Sequence, residues 1–191
     1  MRTLFLSFIC LFYLQCVNAQ VEIGVKGGLN LSNFYYKEIV GKNKPGINAG
    51  LIFIAKISSK FSFETDLTYS EKGYTAHDSP IIQKVHLNYI CLPLSANYQP
   101  IKKLSISFGL ELSYLTKQNY EYTNGSTWKI EWFNDFDYGV ISKLSYKFIK
   151  NIGIETAYVY GIAKPLFNYS ERIGSNRVFQ INMFYLFSPM K

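Results

Sequence analysis

Seven charged side chains, Glu22, Lys26, Glu64, Asp66, Glu111, Lys143 and Glu155, fall on the polar phase of runs whose other phase is apolar. Carboxylates and amines brought together this way can line a path for a small solute or ion, or neutralise one another as salt bridges. A buried charge without a partner is costly, so Lys26 and Lys143 are the obvious partners for the acids. Other chemistry is thin. His77 and His86 lie in or beside one polar link, and nucleophilic catalysis would need a serine and an acid carried to one of them. His77 and Asp78 are adjacent, with no further ligand at a metal-site spacing. Lys26-Gly27-Gly28 lacks the surroundings of a phosphate loop, and its glycines better suit a curved strand. The expectation is a non-enzyme without metal or cofactor. A second set, Tyr120, Tyr122, Trp128 and Trp132, stands with Phe133 among Lys117, Glu121, Lys129 and Glu131. Exposed tryptophan and tyrosine favour contact surfaces. Trp132 and Phe133 equally suit the point where a strand enters an apolar layer. Asn124-Gly125-Ser126 reads as a turn between them.

The elements that must position these residues have a period of two. In 104–114, Leu104, Ile106, Phe108, Leu110, Leu112 and Tyr114 alternate with Ser105, Ser107, Gly109, Glu111 and Ser113. That is a strand with one apolar face, about as long as a tilted strand needs to cross a hydrocarbon layer. Comparable runs occupy 21–32, 46–57, 61–69, 86–98, 136–148, 152–162 and 178–187. Eight strands are expected.

Their connections alternate strictly. Long polar links at 33–45, 71–85, 117–135 and 163–176 are separated by tight turns at 58–60, 99–103 and 149–151. Bacterial outer-membrane barrels do this, with short periplasmic turns and long outer loops. Tyr69, Tyr98, Tyr114, Phe136, Tyr146, Phe148, Tyr160, Tyr185 and Phe187 cluster near strand ends on the apolar phase, as aromatic girdles do. The fold expected is all-β: an eight-stranded antiparallel up-and-down transmembrane β-barrel.

Residues 1–19 have the three parts of a signal peptide: Arg2, an apolar stretch over 4–14, and Val17-Asn18-Ala19 before a cleavage point at Gln20. The stretch is too short for a transmembrane anchor. A lipoprotein reading would use Cys16, but Tyr13-Leu14-Gln15 lacks the small residues that precede a lipidated cysteine, which favours cleavage after Ala19. Cleavage would remove Cys10 and Cys16, leaving Cys91 alone and no intramolecular disulfide. Residues 20–191 suit one domain, the barrel. The formal net charge of +7 is scattered rather than clustered, which argues against nucleic acid and towards anionic headgroups or surface glycans.

The segment 24–32, Gly-Val-Lys-Gly-Gly-Leu-Asn-Leu-Ser, resembles the first strand of the PorT-like outer-membrane β-barrel proteins of Bacteroidetes-type bacteria. The segment 87–94, Leu-Asn-Tyr-Ile-Cys-Leu-Pro-Leu, resembles their fourth strand, and 176–181, Asn-Arg-Val-Phe-Gln-Ile, their last. The hairpin 53–69 also fits, so the likeness spans residues 20–191. It implies an outer-membrane barrel, with a link to a secretion or gliding apparatus through the family's namesake. Most members have no assigned role. Ser188-Pro-Met-Lys191 departs from the pattern, since barrels commonly end on the aromatic itself.

The leading expectation is a small outer-membrane barrel with a structural or interaction role through its long outer loops. Its partners would be outer-membrane lipid, other envelope proteins or surface glycans. One alternative is a narrow pore or carrier for small solutes, although a barrel of eight strands is narrow enough for side chains to fill. The other is a soluble lipocalin-like barrel with its apolar face turned inward around a ligand, because periodicity alone does not tell inside from outside.

Overall fold

The computed structural model describes residues 20–36, 42–76, 82–128, 134–163 and 174–187. The chain runs through β1 (Gln20–Tyr36), β2 (Lys44–Lys56), β3 (Phe61–Thr75), β4 (Ile82–Ile101), β5 (Leu104–Tyr122), β6 (Thr127–Trp128), β7 (Phe136–Lys147), β8 (Ile152–Gly161) and β9 (Gly174–Leu186). Each of the eight long strands pairs antiparallel with its neighbours in sequence, β6 aside, and β9 returns to β1. The wall therefore closes. Over the register from Leu104 to Tyr114, β5 is paired on both sides, by β4 and β7, so the described wall has no open edge at that depth, the condition a β-structure must meet in lipid.

The alternation anticipated from the sequence sets the two faces. Leu29, Leu51, Leu67, Leu92, Phe108, Leu110, Leu144 and Ile181 all point outward and are exposed, Leu29 by 66% and Phe108 by 65%. Lys26, Asn30, Asn48, Glu64, Asp66, Glu111, Lys143, Glu155 and Asn182 point inward and are buried. A soluble lipocalin-like barrel would need the reverse, with its apolar residues around an internal ligand. That alternative is overturned. Expelling so many large apolar side chains from the interior is stable only when the surroundings are apolar too.

Aromatic rings mark both ends of the apolar band. Phe61 packs on Tyr98 at 5.2 Å and Tyr185 on Phe187 at 5.5 Å, beside the short turns. Tyr114 packs on Phe136 at 5.2 Å near the long loops. The described strands run further towards the long loops than the periodicity predicts: β3 continues six residues past Tyr69, and β5 eight past Tyr114. Since Tyr114 pairs with Phe136, the β4–β5 hairpin stands about 25 Å, measured along the strand, above the start of β7. The outer rim is asymmetric. Residues 1–19, the expected signal peptide, lie outside the described residues, as do His77, Trp132, Phe133 and 188–191.

Candidate functional site

Five of the seven charges singled out by spacing meet in the lower lumen. The Lys143 ammonium donates to Glu64 at 2.7 Å and to Asp66 at 2.6 Å. Lys26 donates to the same Asp66 oxygen at 2.6 Å and to Glu155 at 3.0 Å. Asn97 donates at 2.7 Å to the Glu64 oxygen that Lys143 does not reach, and Asn182 donates at 3.0 Å to the Glu155 oxygen that also accepts from Lys26. The residues come from β1, β3, β4, β7, β8 and β9, so the network spans the barrel from wall to wall. Gly28 makes room for it. A Cβ at that position would run into the Ile181 carbonyl and the Asn182 side chain.

Glu111 and Glu22 take other partners. Glu111 accepts from Lys72 at 2.7 Å in a second, higher network, where Lys72 also donates to Ser113 and lies over the Tyr89 ring at 4.9 Å. Asp137 joins that level and accepts from Asn176 at 2.6 Å. Lys72 and Asp137 escaped the sequence reading. Lys72 sits two residues beyond Ser70 on the inward phase of Glu64, Asp66 and Thr68, so the continued alternation carried the signal. Glu22 sits at the short-turn end, 2.6 Å from Lys56 and 3.9 Å from Lys147. There Ile52, Ile54, Phe184 and Leu186 line a cavity of about 180 Å³, together with Ser58 and Ser59 of a short turn and with Glu64 and Glu155. Cys91 is buried and takes a hydrogen bond from Ser113 at 3.2 Å.

The proposed contact set divides. Tyr120 is only 2% exposed and packs with Phe34, Val85, Leu87, Tyr89 and Leu115, with Tyr74 and Tyr122 against the same cluster. Tyr120 and Tyr122 are therefore not an open contact surface. A β-bulge causes this. Asn88 pairs with Lys117 while Tyr89 pairs with Leu115, leaving Thr116 unmatched. One extra residue swaps the faces beyond it, so Gln118 and Tyr120 turn inward instead of outward. Trp128 stays 64% exposed on β6, behind a turn in which Gly125 has φ +79°. The Ser126 hydroxyl donates to the Asn124 side chain at 2.6 Å. On the outer side of the same hairpin, Lys84 and His86 approach Glu121 at 3.1 and 3.2 Å. The Lys84 hydrogen bond, then that of His86, holds the Glu121 carboxyl below its usual range.

Through the described residues the lumen is filled twice over, by ionic layers and by the aromatic cluster above them. Residues 15–166 match the family described as outer membrane protein beta-barrel domain. The chain belongs to that family. No curated protein sequence matches it. Among solved structures, this family member is similar to Neisserial surface protein A, with TM-score 0.59 and 14% identity over 86% of this chain and 97% of that one. It is also similar to Ail, the attachment invasion locus protein of Yersinia pestis, in complex with the heparin analogue sucrose octasulfate. That likeness has TM-score 0.56 and 13% identity, covering 88% of this chain and 99% of that one. At such identities the likeness is one of fold. Family and fold together support the outer membrane as its location.

Proposed function

We propose that this outer-membrane barrel works through its surface, as a structural or interaction protein, and neither conducts solutes nor catalyses a reaction. One observation carries the reading: Lys26 and Lys143 bridge Glu64, Asp66 and Glu155 across the full width of the lumen. A carrier or pore would have to break several buried, charge-assisted hydrogen bonds to pass a solute, each stronger than a neutral one. The raised β4–β5 hairpin, with Trp128 at its edge, is the contact surface this reading assigns. Anionic surface glycans and other envelope proteins are the partner classes. The sulfated sugar held by Ail makes a polyanionic glycan the first to try. Lys117, exposed on the same hairpin, supplies positive charge there.

Two finer elements belong to the same proposal. Export uses residues 1–19 as a cleaved signal, and sequencing of the protein extracted from membranes should begin at Gln20. The resemblance of 24–32, 87–94 and 176–181 to PorT-like proteins supports a role beside a secretion or gliding apparatus, which co-purification from native membranes tests. The main experiment is conductance of the purified protein in planar bilayers. No steady current steps are expected. Reproducible open-channel steps would overturn the reading and return the lumen acids to an ion path.

A further inference from the structure

The short-turn end of the barrel is strongly and unevenly charged. Five lysines, Lys56, Lys102, Lys103, Lys147 and Lys150, line one cleft of about 290 Å³ with Gln99, Phe148 and Ile149, and no carboxylate borders it. The β4–β5 and β7–β8 turns form its walls, held together where the Lys147 amide donates to the Lys103 carbonyl at 2.8 Å. Lys60 lies on the adjoining turn, tied to this group by the Gln99 amide donating to its carbonyl at 2.8 Å. Glu22 is the nearest acid to form ion pairs here, and it engages only Lys56 and Lys147. Lys102, Lys103 and Lys150 are exposed and form no ion pair among the described residues. Their mutual repulsion is tolerated in water but is relieved by a bound anion.

The cleft also has an apolar side. Ile149 is 63% exposed, and Phe148, beside it, continues the lower aromatic girdle onto the outer wall. A ligand filling this site would carry negative charge at one end and hydrocarbon at the other, with the charge at headgroup depth. Long lysine side chains at a membrane boundary reach in that way, stems along the apolar layer and ammonium groups in the polar one.

We propose that this cleft is a binding site for anionic, phosphate-bearing phospholipid headgroups of the periplasmic leaflet. The placement rests on the short turns facing the periplasm. It differs from the proposed outer contact surface in position, ligand and leaflet, so either can fail without the other.

The test uses the full protein in nanodiscs of zwitterionic phosphatidylcholine doped with phosphatidylglycerol, followed by mild detergent extraction and native mass spectrometry of retained lipid. Wild type is expected to keep phosphatidylglycerol in preference to phosphatidylcholine. The Lys102→Gln/Lys103→Gln/Lys150→Gln variant should lose that preference by about five-fold per lysine removed. A Lys42→Gln/Lys117→Gln variant, altered at the opposite end, should keep it. Equal retention of the two lipids by wild type, or an unchanged preference in the triple variant, would overturn the proposal. So would displacement of the lipid by millimolar inorganic phosphate, which would make the cleft a soluble-anion site. A heat-dependent gel shift in every variant separates loss of the site from loss of the barrel.

Discussion

Lys143 touches two carboxylates and lies in the middle of the filled lumen, so its removal isolates the worth of the network. Lys143→Met leaves the buried Glu64 carboxylate without its cation, while Asp66 keeps Lys26. Breaking a buried pair from one side costs about 3–5 kcal/mol. The variant is expected to unfold at clearly lower urea than wild type, read by loss of the compact gel band. Adding Glu64→Gln should restore part of the loss, because the stranded charge disappears while the Lys26–Asp66 pair stays. No restoration would mean that packing, not charge, holds this layer. At the outer rim, Lys84→Met should move the Glu121 titration upward, since the ammonium favours the ionised carboxylate; carbon-detected NMR across the acid range reads this directly. Residues of this kind were legible wherever alternation ran unbroken. Glu64, Asp66, Lys26, Lys143 and Glu155 needed only the period of two, and Asp137, at the start of its strand, stands on the same inward phase as Lys143 and obeys the same rule.

Strands succeed or fail here by how closely they approach across the lumen and along the seams. Gly28 and Gly27 are adjacent on β1 but face opposite ways. A Cβ at Gly28 would collide with the Ile181 carbonyl on β9, while one at Gly27 meets nothing closer than 3.7 Å. Gly28→Val is therefore expected to abolish the closed, heat-sensitive form, and Gly27→Ala to leave stability within about 0.5 kcal/mol of wild type. Equal behaviour of the two would contradict the β1–β9 register. The bulge at Thr116 was not legible. A single inserted residue leaves no compositional trace, and the polar run Thr116-Lys117-Gln118-Asn119 interrupts the apolar phase, so Tyr120 and Tyr122 read as loop when they belong to a strand. The same stretch explains why the long links proved shorter than expected. Strand pairing does not stop at the membrane surface when an apolar cluster such as Phe34, Val85, Leu87 and Leu115 rewards its continuation.

For the molecule as a whole, the decisive property is its inverted packing, with polar side chains inside and apolar ones outside. The alternation of long and short connections pointed to that arrangement, and strand length agreed. Periodicity by itself was symmetric between inside and outside; the buried ion pairs and the exposed apolar belt break that symmetry. An eight-stranded wall closed by β9 on β1, with the lumen filled, should be a compact body in the outer membrane that opens only when heated. The most direct measurement is to isolate outer membranes from expressing cells and run the extracted protein unboiled and boiled on a gel. Enrichment in the outer-membrane fraction and a faster-moving unboiled band that shifts on boiling are expected. A protein recovered in soluble fractions without detergent, with a single band under both conditions, would contradict a closed transmembrane barrel.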